Sequence, residues 1–188
     1  MESKEEKYAK IIQTAFGLAG SHGVDNISIS MLSREAEVSR GWIYKYIASD
    51  IEGVLHFCLK SYAEEFARFA DLVVHDSPDS LKESLLSFSK ALAQRVSEDG
   101  LVLSIYFGNI SSKNLIGDVV RETDERYVRH LASNMERAFK VDEKTATQKA
   151  KLFHSMRMGG LLFQNGDAKM IEDYLESLDS ILNGLYKS

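Results

Sequence analysis

Apolar residues recur at steps of three and four along most of this chain, the spacing of an α-helix that buries one face. Tyr8, Ile11, Ile12, Ala15, Phe16 and Ala19 predict a first helix over residues 4–21, ended at Ser21-His22-Gly23, where Gly23 suits a left-handed C-terminal position. Ser28 caps a second helix with an apolar face at Ile29, Leu32 and Ala36. Ser39 caps a third, with Ile43 and Ile47 inward. A tight corner at Ala36-Glu37-Val38 joins the two. That is the sequence form of a helix-turn-helix, whose second helix enters the DNA major groove.

Ser49 and Glu52 read as the capping box of a long fourth helix running toward Val74. His75-Asp76-Ser77-Pro78 breaks the pattern, and Ser77 as cap with Pro78 at the first helical position restarts it through about Val96, with Gly100 as the end. Leu101 to Ile110 is apolar on all sides and predicts a short buried helix. Asn114 to Phe139 carries a long stripe through Ile116, Val119, Val120, Tyr127, Leu131 and Met135. Lys144 to Gln164 follows, then a turn at Asn165-Gly166-Asp167, then a helix over 168–187. The last two helices bear more apolar surface than one small helical domain easily hides. Either they close their own core, or they pair with their copies in a second subunit as a four-helix bundle; the homodimer is the preferred reading. Its candidate contacts are Phe153, Met156, Gly160, Phe163, Ile171, Tyr174, Leu178 and Ile181.

A single proline and many Leu, Ala, Glu and Lys residues agree with an all-α fold of about nine helices. The one cysteine, Cys58, excludes an internal disulfide and suits a reducing compartment. The charged N-terminus lacks the apolar run of a signal peptide, and no stretch approaches the roughly 18 apolar residues that span a bilayer. A cytoplasmic protein with no membrane partner is expected. The net charge of −5 argues against a wholesale positive coat for nucleic acid, and residues 1–50 hold six bases against seven acids. DNA binding must rest on where individual charges sit. Enzyme chemistry finds no support: the five histidines do not pair with Cys or carboxylates at metal spacing, so no metal or cofactor is expected. His56 and Cys58 stand two apart, on different helix faces. Gly159-Gly160 lies inside a helix and reads as close helix packing rather than a phosphate loop.

Ala15, Gly23, Ser28, Leu32, Ala36, Val38, Ser39, Arg40, Gly41, Ile43, Tyr44, Tyr46 and Ser49 fall at the spacing of a known pattern, and over residues 8–55 the chain resembles the TetR family of bacterial one-component repressors. Several positions depart from that pattern: Ser33 for the usual Ala, Glu37 for Gly, Ile47 for Phe, Asp50 for Lys, and Trp42 where most relatives have a small residue. The resemblance implies a helix-turn-helix DNA-binding domain at 1–50 and a helical ligand-binding and dimerisation domain at 51–188. It implies a ligand-responsive transcriptional regulator, a repressor, that binds palindromic duplex DNA as a homodimer and is released by a small-molecule effector. The alternative, motivated by Asp50, Glu37 and the negative balance, is a helical ligand-binding or protein-interaction module whose DNA affinity is weak or lost.

On the first reading, Ser28 and Ser39 cap their helices and also donate hydroxyls to phosphates. Arg40 contacts a guanine edge, or else a phosphate or only solvent. Gly41 lets the helix approach the backbone closely, while Tyr44 and Lys45 meet phosphates. Tyr46 either joins them or packs under the helix. Trp42 is expected to face outward with Arg40, the other reading being that it folds back onto the first helix. Asp50 repels the phosphate backbone, and Lys4, Lys7 and Lys10 either add contacts or are a solvated face. For the effector pocket the candidates are Phe57, Phe66, Tyr106, Phe107, Tyr127, Phe153 and Met156, each of which also reads as ordinary core. Arg95, Glu122, His130 and His154 are polar residues on or beside apolar stripes.

Overall fold

The computed structural model describes residues 2–71, 74–98, 101–113, 115–163 and 167–187. Among these residues the regular structure is helical: α1 Lys4–His22, one 3-10 turn Val24–Asn26, α2 Ile29–Glu35, α3 Arg40–Tyr46, α4 Ile51–Asp71, α5 Pro78–Glu98, α6 Leu101–Asn109, α7 Leu115–Phe139, α8 Glu143–Leu161 and α9 Ala168–Lys187. The all-α fold, with nine α-helices among the described residues, follows the hydrophobic periodicity. Gly100, Asn165 and Gly166, placed by the sequence at helix ends and a turn, lie outside the described residues, as does the side chain of Phe66. None of the described helices is long and apolar enough to cross a membrane.

The chain divides into two compact units, Met1–Phe66 with Ser104–Arg121, and Ala67–Leu103 with Glu122–Ser188. In the first unit, α1 starts on a capping box: Ser3 Oγ accepts from the Glu6 amide at 3.1 Å while the Ser3 amide donates to Glu6 Oε2 at 2.7 Å. It ends at Gly23, whose φ of 78° is open to glycine, with the Gly23 amide bonded back to the Ala19 carbonyl at 3.0 Å. Ser28 Oγ accepts from the Met31 amide at 3.2 Å and Ser39 Oγ from the Trp42 amide at 3.3 Å, so both serines cap as their sequence positions predict. Ile11, Leu32, Ile43, Val54 and Cys58 are buried at the centre of this unit.

The cap of α4 differs from the sequence expectation. Asp50, not Ser49, immediately precedes the helix, and its Oδ1 accepts from the Gly53 amide at 2.7 Å. A carboxylate is a good N-cap and sits well at the positive end of the helix dipole. Gly53 is required beside it, since a Cβ there would lie 2.7 Å from Ala48 Cβ and 3.2 Å from Asp50 Oδ1.

In the second unit α9 packs against α5 and α8. Lys82 on α5 reaches Asp179 at 2.7 Å and Asn183 at 3.0 Å on α9. Asp142 caps α8, accepting from the Thr145 amide at 3.0 Å. Gly160 brings α8 and α9 together: a Cβ there would lie 2.7 Å from the Tyr174 ring. The close packing predicted for the glycine pair therefore falls on Gly160, while a Cβ at Gly159 meets nothing within 4 Å.

Candidate DNA-reading face and buried polar cluster

Seven residues of α3 make two turns and present three faces, because side chains four apart stack on one side. Ile43 and Ile47 form the first; Ile43 is fully buried and Ile47 packs against the same core. Trp42 and Tyr46 form the second, turned onto α1. The indole meets the Tyr8 ring edge-on with centroids 5.2 Å apart and the Tyr46 ring at 5.0 Å. The Tyr8 hydroxyl donates to the Tyr46 carbonyl at 3.3 Å. Trp42 thus folds back onto α1 instead of facing outward with Arg40, because its place in the heptad belongs to the α1 side and the aromatic stack removes apolar surface from water.

Arg40 with Tyr44, and Gly41 with Lys45, form the third face, and all four residues are exposed. Arg40 Nη1 rests on Ser30 Oγ at 3.4 Å, a long contact that leaves the guanidinium available. A Cβ at Gly41 would meet nothing within 4 Å, so the chain's own packing does not demand glycine there. Of the α1 lysines, Lys4 lies over the Tyr8 and Tyr46 rings at 5.4 and 4.7 Å and Lys7 over Trp42 at 5.7 Å. Lys45 lies over Tyr46 at 5.0 Å, and Lys10 is paired with Glu2 at 2.7 Å. The result is an aromatic surface carrying several cations beside the exposed face of α3.

The corner between α2 and α3 absorbs two of the sequence departures, Ser33 and Glu37, together. Glu37 adopts φ 56°, a left-handed conformation that costs a residue with a side chain about 1 kcal/mol. Ser33 offsets it: its hydroxyl donates to the Val38 carbonyl at 2.7 Å, across the corner, a bond that alanine could not make. Glu37→Gly is expected to raise stability by about 0.5–1 kcal/mol, read as a shift in denaturant midpoint at unchanged slope, with part of the gain lost to the freer unfolded chain.

The pocket candidates divide between the units. Phe57, Tyr106 and Phe107 belong to the first: Phe57 stacks on Tyr8 at 5.3 Å, and Tyr106 meets Phe107 edge-on at 5.0 Å. Of the candidates in that unit whose side chains are described, none lines a small apolar space bounded by Ala15, Phe16, Ala19, Leu55, Cys58 and Ile116 among others. Burial there pushes the Cys58 thiol up to about 12. In the second unit Phe153 is fully buried core and Met156 is 44% exposed, so the two do not share an environment although both were expected in the pocket and in the dimer contact. Tyr174 and Leu178 are likewise buried within their own chain, and Gly160 packs on that same Tyr174 ring. Phe153, Tyr174 and Leu178 are thus spent on the core of their own chain, while Gly160 is half-buried. The apolar side chains left outward are Leu152, Met156, Leu162 and Phe163, the last 74% exposed, with Ile171 and Ile181 half-buried.

Tyr127 belongs to a buried polar cluster that sequence reasoning found only in part. Its hydroxyl accepts from Arg157 Nη1, and its ring lies against Phe88 at 6.1 Å and His154 at 5.0 Å. His154 contacts Asp124 at 2.5 Å through Nε2 and Arg157 at 3.0 Å through Nδ1. Burial holds the imidazole below its ordinary value; Asp124 opposes that and Arg157 adds to it. Burial likewise raises the Tyr127 phenol. The sequence signal was the spacing of three on both helices, Asp124 to Tyr127 on α7 and His154 to Arg157 on α8, which sets polar pairs on one face. Among the described residues no three His, Cys, Asp or Glu side chains gather as a metal site requires.

No protein-family model matches the chain, and no curated protein does. Solved structures do. A proposed transcriptional regulator from Pseudomonas aeruginosa PAO1 superposes with a TM-score of 0.80 at 16% identity, over 100% of this chain and 93% of that one. A protein from Mesorhizobium loti assigned to the TetR family matches at 0.71 and 17%, over 98% and 97%. The regulator FadR from Bacillus subtilis, in complex with stearoyl-CoA, matches at 0.66 and 16%, over 95% and 97%. At such identities the likeness speaks for architecture, and the chain has the fold of the TetR-family transcriptional regulators.

Proposed function

We propose that this chain is a ligand-responsive transcriptional regulator that binds palindromic duplex DNA as a homodimer and is released by a small-molecule effector. The observation that carries the reading is the exposed face of α3: Arg40, Gly41, Tyr44 and Lys45 stand together on a serine-capped helix, directly after a tight corner. Arg40 reads a base edge, and Ser28, Ser39, Tyr44 and Lys45 hold phosphates. Trp42 and Tyr46 serve by fixing the helix on α1. The exposed Leu152, Met156, Leu162 and Phe163 favour a second copy as partner, since a run of large apolar groups in water is costly. The stearoyl-CoA bound to the B. subtilis regulator supports an effector as part of the reading. In repressor form, effector binding lowers operator affinity.

Selection from a random duplex pool, followed by gel shift on the winning sequence, tests this. A palindrome is expected to emerge, and Arg40→Ala is expected to lose about 10- to 100-fold in affinity while relaxing the preference at one base position. Asp50→Asn keeps the α4 cap and removes a negative charge, so its affinity should rise a few-fold with a steeper salt dependence. Asp50→Lys would confound the two effects, since it also loses the cap. If no duplex is enriched at low salt with either the parent or Asp50→Asn, the head does not read DNA and the chain is a helical ligand-binding or interaction module.

A further inference from the structure

Arg157 is 2% exposed, and a guanidinium taken out of water is tolerated only where hydrogen bonds and opposite charge replace its hydration. Here the replacement is incomplete. Nη1 donates to the Tyr127 hydroxyl, Nη2 to His154 Nδ1 at 3.0 Å, and the Tyr127 and Phe88 rings stand 4.2 and 5.0 Å from Cζ. His154 in turn gives its Nε2 proton to Asp124 at 2.5 Å. The imidazole is therefore a neutral link, one nitrogen accepting from the arginine and the other donating to the carboxylate. No carboxylate among the described residues pairs directly with Arg157. A guanidinium has five N–H donors, and Nε is buried without any partner among the described residues.

We propose that Arg157 anchors an organic monocarboxylate with an apolar body, its free Nε edge taking the carboxylate as a fork. The fork geometry is what distinguishes a guanidinium from an ammonium as a carboxylate receptor. The Tyr127, Phe88 and His154 rings fix the guanidinium plane, so little freedom is lost on binding. One charge suffices for the ligand, because Lys149, the other cation buried among the described residues of this unit, is turned onto the Leu185 carbonyl at 2.5 Å. The apolar body suits surroundings that include the fully buried Phe153 and Leu161 on the same helix. This deepens the effector part of the proposed function, and its binding step stands apart from DNA.

Calorimetric titration of the full chain with octanoate and 1-naphthoate, each beside its alcohol (octanol, 1-naphthalenemethanol), tests the site without any mutation. At least one carboxylate is expected to bind about 10-fold or more tightly than its alcohol and to move the His154 side-chain nitrogen resonances. Arg157→Lys keeps the charge and loses the fork, and should weaken the carboxylate about 10-fold. Arg157→Met should abolish the preference over the alcohol while leaving Tm unchanged or raised, because it removes orphaned donors; should it fail to fold, Arg157→Lys decides. The proposal is overturned if neither carboxylate outbinds its alcohol, if Arg157→Lys leaves affinity within twofold, or if His154 does not respond. Carboxylate binding with no duplex enriched sinks the regulator reading and leaves this site standing; the reverse pattern does the opposite.

Discussion

Alanine in place of Phe153 is expected to cost about 3–5 kcal/mol of folding stability. The ring is fully buried on α8, among the largest side chains that solvent does not reach, so its removal sacrifices both transfer energy and the contacts of a filled site. Urea unfolding followed by circular dichroism reads the effect as a lower midpoint at nearly constant slope. Met156→Ala, three residues further on, is the internal control. Met156 is 44% exposed and should change the monomer's stability by no more than about 0.5 kcal/mol. At a protein concentration where the chain is monomeric, a large loss at 156 with a small one at 153 would mean that α8 is rotated relative to the arrangement described.

Gly117→Ala should cost about 2–3 kcal/mol, against the roughly 1 kcal/mol gain that alanine normally brings inside a helix. A Cβ at position 117 would lie 2.1 Å from the Ser112 carbonyl oxygen and 2.8 Å from that of Asn109. Both are backbone atoms, so the corner after α6 would have to move bodily. Arg121 holds that corner, donating through Nη1 to the Ile110 carbonyl at 3.0 Å and the Ser112 carbonyl at 2.6 Å while pairing with Asp118. Displacing the corner strains these bonds as well. Gly159→Ala, where a Cβ meets nothing, should instead stabilise by about 0.5–1 kcal/mol. Equal effects at the two glycines would refute the close approach at 117.

Periodicity carried the helices because each one buries a single stripe, and the serine caps at 28, 39 and 77 mark real helix starts. What periodicity cannot give is which of two faces a side chain at the boundary chooses. Trp42 is the example. Its spacing allows either the solvent side with Arg40 or the α1 side, and the choice depends on Tyr8, 34 residues earlier and on another helix. The same limit applies to the last two helices. Phe153, Tyr174 and Leu178 lie on good apolar stripes, yet whether a stripe serves its own core or a second chain is decided by the neighbours that α5 and α9 supply. Asp50 teaches a different lesson. Against the family pattern it reads as a charge in the wrong place, whereas locally it is a well-made helix cap.

The aromatic seating of α3 on α1 has a practical consequence for handling the protein. Lys4, Lys7 and Tyr8 sit within the first two turns of α1, and the helix itself begins on the Ser3–Glu6 box with Glu2 tied to Lys10. A purification tag joined ahead of Ser3 would therefore lean on the very turns that orient Trp42 and Tyr46. Measurements of DNA binding are better made on a chain tagged away from these turns.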